Sequence, residues 1–279
     1  MCGLILLDKP EGITSFTAVN RVRRALNCKK AGHTGTLDPL ATGVLPVLLG
    51  GATRFAQFLP SQRKAYLAGF QLGTTTTTLD ITGEVLQERP ANVSQHEISA
   101  ALVPFRGKIM QVPPMVSALK KDGKRLYELA RQGIEIERDA RPVEIFALEL
   151  RGDELYIDCS AGTYVRSLID DLGRALGCGA CMTTLRRVQA NGFDITQCTP
   201  LEHIANAPIL AMEDVLAAYP AVHVSAAQAV RFANGGALDL SRLNKINPAD
   251  GEIYRVFGDV FLGLGRVQGE ELAIARLLV

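Results

Sequence analysis

The chain opens on an apolar run, Leu4-Ile5-Leu6-Leu7, that ends at once in Asp8-Lys9-Pro10. A short apolar run meeting charge and proline reads as a buried strand over residues 3–7. With no basic flank ahead of it, it is not expected to be a secretion signal. Phe16, Val19, Val22 and Leu26 then recur at helical spacing behind Ser15, a capping residue. This predicts a helix over residues 15–26. Residues 31–51 are rich in Gly, Thr and Pro around an apolar stretch at 44–49, which predicts a loop feeding a buried strand or turn. Residues 65–72 read as a strand, and the five threonines at 74–78 favour extended structure or loop over helix. Ser94 and Glu97 form a capping box for a helix to about residue 103. Pro113-Pro114 breaks the chain, and a short helix over residues 126–132 closes at Gly133.

Residues 142–150 and 154–160 alternate apolar with polar and are joined by Arg151-Gly152-Asp153, so they predict a hairpin. Residues 163–176 carry Val165, Leu168, Ile169, Leu172 and Leu176 on one helical side, with Gly177 after the end. Strands and helices mix without regular βαβ alternation, which favours an α+β fold with a mixed or antiparallel sheet. Beyond residue 200, Pro200, Pro208 and Pro220 punctuate a helical piece near 212–218. Short strands at 254–256, 260–264 and 272–277 follow, separated by Gly-rich turns. They predict a small all-β domain of about 60 residues. No internal repeat or low-complexity linker is visible.

Composition narrows the class. Of 279 residues, 47% are hydrophobic and 21% charged, which excludes wholesale disorder. No apolar run approaches the ~20 residues that span a bilayer. Six cysteines without a leader suggest reduced thiols and a cytoplasmic protein. The net charge is +1, yet residues 1–66 hold 9 basic and 3 acidic side chains and residues 104–142 hold 9 and 5. Two basic blocks in a near-neutral chain suit a polyanion, although solvated faces are often locally unbalanced too.

The densest chemical signal is Gly32-His33-Thr34-Gly35-Thr36-Leu37-Asp38-Pro39-Leu40-Ala41-Thr42-Gly43. Its glycines allow tight turns, and Pro39 pushes Asp38 away from helical geometry. The residues alone leave Asp38 as either a catalytic carboxylate in a rigid loop or an ordinary Asp-Pro turn. The block lacks the Gly-Lys-Ser/Thr of a phosphate-binding loop. His33 reads as a loop histidine or a substrate contact. Arg166 opens a helix, where the dipole disfavours a cation. It is either an exposed arginine or the partner of an acid such as Asp38. Cys178-Gly179-Ala180-Cys181 has no second ligand pair for zinc and follows a helix, so it reads as structural thiols. Asp170-Asp171 reads as a solvated helix edge.

Taken together these blocks resemble the TruB-type bacterial tRNA pseudouridine-55 synthases. Asp8-Lys9-Pro10-Glu11-Gly12-Ile13-Thr14-Ser15 is similar to the family's N-terminal motif, and Gly32 to Gly43 is similar to its signature loop. Lys64-Ala65-Tyr66 and Thr78-Leu79-Asp80-Ile81-Thr82-Gly83 follow in order, then Val112-Pro113-Pro114 and Ser117-Ala118-Leu119-Lys120. Gly123-Lys124-Arg125-Leu126-Tyr127 comes next, then Gly162-Thr163-Tyr164-Val165-Arg166, Leu168 to Gly173, and Leu185-Arg186-Arg187. The likeness covers most of residues 3–200, and the tail more loosely resembles a PUA-type RNA-binding domain. Two departures stand out. Val116 occupies a position where the family usually has tyrosine, and the loop before Asp80 is threonine-rich.

The resemblance implies a pseudouridine-synthase catalytic domain over residues 1–215, with an RNA-binding insert at about 104–142. A PUA-like domain would occupy 220–279. It implies isomerisation of uridine to pseudouridine in the T-loop of tRNA by base flipping, by a monomer acting alone, without cofactor or metal. Asp38 would be the nucleophile or a base on the sugar, Arg166 its partner, and Tyr66 the ring stacked on the target base. His33 would brace the vacated space and Leu185 would pack nearby. Tyr164, Asp80 and Lys9 complete the implied site, and Lys120, Lys124 and Arg125, with Lys121, would clamp stem phosphates. Two alternatives stay open: a non-catalytic tRNA-folding or RNA-binding protein, and a guide-RNA-dependent synthase subunit.

Overall fold

A computed structural model describes residues 2–117, 119–121, 124–130, 132–243 and 249–278; of residues 120, 121, 124, 125, 127 and 128 it describes the backbone alone. The elements run β1 (Gly3–Lys9), α1 (Ser15–Ala25), β2 (Ala31–His33), β3 (Thr42–Leu49), a 3-10 stretch (Gly50–Phe58), β4 (Lys64–Leu72), β5 (Thr74–Thr76) and β6 (Val85–Glu88). Next come α2 (Gln95–Ala101), β7 (Gly107–Gln111), β8 (Lys120–Lys121), β9 (Lys124–Arg125), α3 (Leu126–Ala130), β10 (Arg141–Arg151), β11 (Glu154–Cys159), α4 (Val165–Ala175) and β12 (Ala180–Ala190). The remainder is β13 (Phe193–Asp194), β14 (Thr199–Pro200), α5 (Met212–Val215), β15 (Ala221–His223), α6 (Ala226–Ala233), β16 (Leu238–Asp239), β17 (Ile253–Phe257), β18 (Phe261–Gln268) and β19 (Glu271–Leu277).

The main sheet runs β14-β1-β3-β12-β4-β11-β10-β7, with β2 on β3 and β13 on β12. The β3–β12 and β1–β14 pairs are parallel and the other neighbours antiparallel, so the sheet is mixed, as the lack of βαβ alternation predicts. The expected hairpin is β10–β11, and Arg151 pairs with Glu154 across its turn. Strand β12 was not foreseen, because Thr183, Thr184, Arg186 and Arg187 interrupt any apolar run. It is nonetheless central, held between β3 and β4.

Helix α4 lies on the sheet as its stripe predicts, burying Val165, Leu168, Ile169 and Leu172 against β4, β10, β11 and β12. Each such side chain contributes about 1.5–3 kcal/mol of burial. Asp170, expected on a solvated edge, is instead buried and paired with Arg174 at 2.8 Å. Asp170 and Arg174 line one pocket together with Thr75 and Thr76 of the threonine segment.

Helix α1 also shifts by one position. Thr14, not Ser15, is its cap, accepting from Thr17 N at 3.0 Å. The buried stripe is therefore Ser15, Ala18, Val19 and Val22, and Phe16 is left 73% exposed. The Ser94–Glu97 capping box forms as expected.

The tail forms its own five-stranded sheet, β15-β17-β18-β19-β16, as the spacing of short strands suggests. It also carries α6, an eight-residue helix not foreseen, whose Phe232 is buried in the tail's core. Phe261 and Leu264 of this sheet pack with Leu4, Leu48, Phe55 and Phe58 of the main body. No helix among the described residues is long and apolar enough to cross a membrane.

Candidate active site

The loop joining β2 to β3 carries Asp38, and it is tied down from several directions. A turn closes when Ala41 N donates to Asp38 O at 3.1 Å. Ser15, freed from capping, is buried and exchanges two hydrogen bonds with Leu37. Its Oγ donates to Leu37 O at 2.9 Å and accepts from Leu37 N at 2.8 Å. Lys9, fully buried, donates from Nζ to Ala41 O at 2.7 Å, Pro10 O at 2.8 Å and Pro39 O at 3.4 Å. Gly12 N donates to Pro39 O at 2.8 Å. Burial holds the Lys9 ammonium down to about 8, against the opposing pull of the Asp38 charge. Behind the loop, Arg187 is fully buried and donates to Val44 O at 2.7 Å and Gly35 O at 3.1 Å.

Gly43 must be glycine here. Its φ is +103°, and a Cβ would lie 2.2 Å from Arg187 O. The close β3–β12 approach that positions the end of the loop requires that bare backbone.

Arg166 comes from the first turn of α4. Its guanidinium is 5% exposed; it pairs with Asp38 Oδ2 at 2.8 Å, donates to Val116 O at 2.9 Å and Thr78 O at 3.0 Å, and has the Asp80 carboxylate 3.6 Å away. That density of partners explains why a cation sits at a helix N-terminus against the dipole. The Asp38 side chain stays 39% exposed. The arginine is thus locked while the carboxylate keeps an open face.

Asp80 is buried and turned toward Arg166. Its Oδ1 accepts from Thr78 Oγ1 at 2.8 Å and Thr82 N at 3.0 Å, while Thr76 Oγ1 donates to Asp80 O at 2.7 Å. The threonine run therefore supplies the hydroxyls that orient this acid.

The segment from β7 to Ser117 docks on the start of α4. Gln111, buried, accepts from Tyr164 N at 2.7 Å and donates to Tyr164 O at 3.0 Å. Ser167 Oγ donates to Val112 O at 3.1 Å. The Tyr164 phenol is beside Ser117, and burial raises its pKa. Tyr66 and Leu185 belong to one buried cluster with Leu37 and Ala41. Burial pushes the Tyr66 phenol up, while the Arg187 guanidinium pulls it partly back. His33 ends β2, and its Nδ1 is buried without a hydrogen-bond partner. Burial, then Arg187, holds its charge down.

The structure thus gathers Asp38, Arg166, Asp80 and Tyr164 on one side of the loop, with Lys9, Tyr66, Leu185 and His33 packed beneath or beside it. The side chains of Lys120, Lys121, Lys124 and Arg125 lie outside the described residues. All six cysteines are free, and Cys181 is buried within β12, which suits a structural thiol. Among the described residues no cluster of His, Cys, Asp or Glu has metal-holding geometry. Sequence reasoning missed Ser15 as a loop anchor, Gln111, and Arg187. The only signal for Arg187 was its place beside Leu185, two residues along β12.

Comparison with known proteins gives a consistent picture. Residues 23–165 match the family described as TruB family pseudouridylate synthase (N terminal domain). Residues 166–226 match a tRNA pseudouridylate synthase B C-terminal domain, and residues 220–278 a Pseudouridine synthase II TruB C-terminal domain. A tRNA pseudouridine synthase B of Burkholderia lata is 44% identical over 290 residues, covering 99% of this chain and 90% of that one. Its counterpart in Pseudomonas fluorescens is 56% identical over 207 residues, covering 72% and 68%. Among solved structures, a chain from a Cbf5-Nop10-Gar1 complex aligns with a TM-score of 0.72 at 26% identity, covering 99% of this chain and 85% of that one.

Proposed function

Because the chain belongs to the TruB family of pseudouridine synthases, we propose that it isomerises uridine to pseudouridine at position 55 in the T-loop of tRNA. The observation that carries this reading is the Asp38–Arg166 pair at 2.8 Å, with the guanidinium buried and the carboxylate half-open on a loop anchored at both ends. A carboxylate so held is ionised, aimed and reachable by a nucleoside.

The reaction is internally balanced. The bond from ribose C1′ to base N1 breaks, the base turns, and C1′ bonds to C5. C5 gives up a proton and N1 gains one, so no electrons are exchanged. Asp38 serves as nucleophile toward C1′ or as a base on the sugar. Arg166 pairs with it and fixes its direction, and Asp80 holds Arg166 from behind. Tyr66, a neutral phenol kept so by burial, stacks its ring on the everted base, with Leu185 beside it.

A uridine stacked in a folded loop must first be flipped out, at a cost of a few kcal/mol recovered from contacts elsewhere. In this proposal the insert at about 104–142 grips the stem with Lys120, Lys124 and Arg125, and His33 braces the emptied space. The body over residues 1–215 does the chemistry, and residues 220–279 extend the RNA surface. The enzyme works as a cytoplasmic monomer. The test is the purified chain alone, given a T-stem-loop transcript carrying tritium at C5 of the target uridine. Release of label, with pseudouridine mapped to that position, supports the proposal. A likeness to a Cbf5 chain over 85% of its length keeps a guide-RNA-dependent subunit as the second reading, and release of label without guide RNA or partner excludes it.

A further inference from the structure

Three basic side chains meet beside the catalytic loop without an acidic partner. A methyl group built on Gly35 would lie 2.9 Å from Lys64 Nζ and 3.7 Å from Arg187 Nη1. Arg187 is fully buried; two of its nitrogens reach carbonyl oxygens, but Nη1 makes no hydrogen bond. His33 Nδ1 is likewise buried and unpartnered. Lys64 is half-buried at the start of β4, two residues before Tyr66, and no carboxylate pairs with it or with Arg187 among the described residues. By contrast Arg63, Arg166, Arg174 and Arg186 each have an aspartate.

This imbalance needs a reason. A buried charge without a counterion costs several kcal/mol, and cations crowded together repel. The chain has 29 acidic residues against 30 Lys and Arg, so the lack of an acid here is local. Burial and the neighbouring Arg187 hold the Lys64 ammonium down to about 8. Such a cluster is stabilised when an anion arrives from outside. Within the proposed reaction, the anion delivered with the nucleoside is a backbone phosphodiester. Lys64 is half-buried rather than sealed, whereas the Arg187 guanidinium is fully buried and acts through its field from behind.

We propose that Lys64 is a phosphate-binding residue of the catalytic site, its ammonium taking a phosphodiester next to the flipped uridine while Arg187 supplies fixed positive field behind it. The inference rests on the uridine-isomerase reading and deepens it by naming a substrate-positioning group.

The test compares wild type, Lys64→Gln and Lys64→Arg in equilibrium binding to a T-stem-loop RNA. The RNA carries either native linkages or a single neutral methylphosphonate on the 5′ or the 3′ side of the target uridine. On native RNA, Lys64→Gln is expected to weaken binding about tenfold and to lower the salt slope by about one, while Lys64→Arg stays near wild type. With one of the two neutral linkages, wild type and Lys64→Gln bind alike. Equal binding by Lys64→Gln on native RNA overturns the proposal, as does a deficit that persists unchanged with both modified RNAs. Thermal melting of each variant checks folding. Wild type that binds but releases no C5 label refutes the isomerase reading, while the binding comparison still decides the role of Lys64.

Discussion

Lys9→Met removes the ammonium that ties the catalytic loop to β1 while keeping the length of the buried stem. Two short charged hydrogen bonds, to Ala41 O and Pro10 O, and a longer one to Pro39 O are lost. At about 1.5–3 kcal/mol for a bond from a charged donor, the two short bonds represent roughly 3–6 kcal/mol. Against this stands the relief of a buried charge. The lysine drops from 10.5 to about 8, which corresponds to about 3 kcal/mol. The balance at pH 7 is a loss on the order of 0–3 kcal/mol.

The sign of the pH dependence follows from the lowered value. Below about 8 both the folded and unfolded chains hold the Lys9 proton. Between that point and 10.5 the folded state releases it while the unfolded state keeps it, so the stability contributed by Lys9 rises with pH. The limiting slope is about 1.4 kcal/mol per pH unit. Urea unfolding of wild type and Lys9→Met at pH 7 and pH 9 measures both effects. The account expects the deficit of the variant to be larger at pH 9 than at pH 7, and expects kcat to fall more than RNA affinity. A deficit that shrinks at pH 9, or a variant with the kcat of wild type at pH 7, refutes the reasoning about the loop clamp.

Three further outcomes follow from the same geometry. Ser15→Ala removes both hydrogen bonds to Leu37 and should cost about 2 kcal/mol in unfolding experiments, with lower kcat and little change in RNA binding. Gly43→Ala places a methyl group 2.2 Å from Arg187 O at a φ of +103°, and should lower stability by 3 kcal/mol or more, read as poor soluble yield and a depressed Tm. Arg166→Lys keeps the charge but not the fork that serves Asp38, Asp80, Thr78 and Val116. Single-turnover isomerisation should fall by at least about a hundredfold while the tRNA complex still forms.

Much of the frame was legible from pattern alone. The stripe of α4, the β10–β11 hairpin and the Ser94 cap are local signals, and local signals survive folding. The misreadings share a different cause. Ser15 looked like a cap because serine caps helices, yet Thr14 is equally able, and Ser15 was needed 22 residues away at Leu37. Asp170 looks solvated from the one apolar stripe of its helix, whereas it faces a pocket shared with a threonine segment about 90 residues away in sequence. Strand β12 carries two adjacent arginines in mid-strand because Arg186 reaches Asp8 at 2.8 Å and Arg187 reaches the Asp38 loop. Those partners are more than 140 residues away in sequence. Of the site, Asp38 and Arg166 were visible as motif residues. The clamp by Lys9 and the uncompensated cluster at Lys64 depend on tertiary distances that spacing does not encode.

The central claim is that the ionised Asp38 carboxylate performs the chemistry. Asp38→Asn preserves shape and retains an acceptor oxygen for Arg166 while removing the charge. The decisive measurement is single-turnover release of tritium from C5 of the target uridine by Asp38→Asn, at RNA concentrations shown by binding to saturate it. The account predicts binding within a few-fold of wild type and no detectable release; release at a rate near wild type would contradict it.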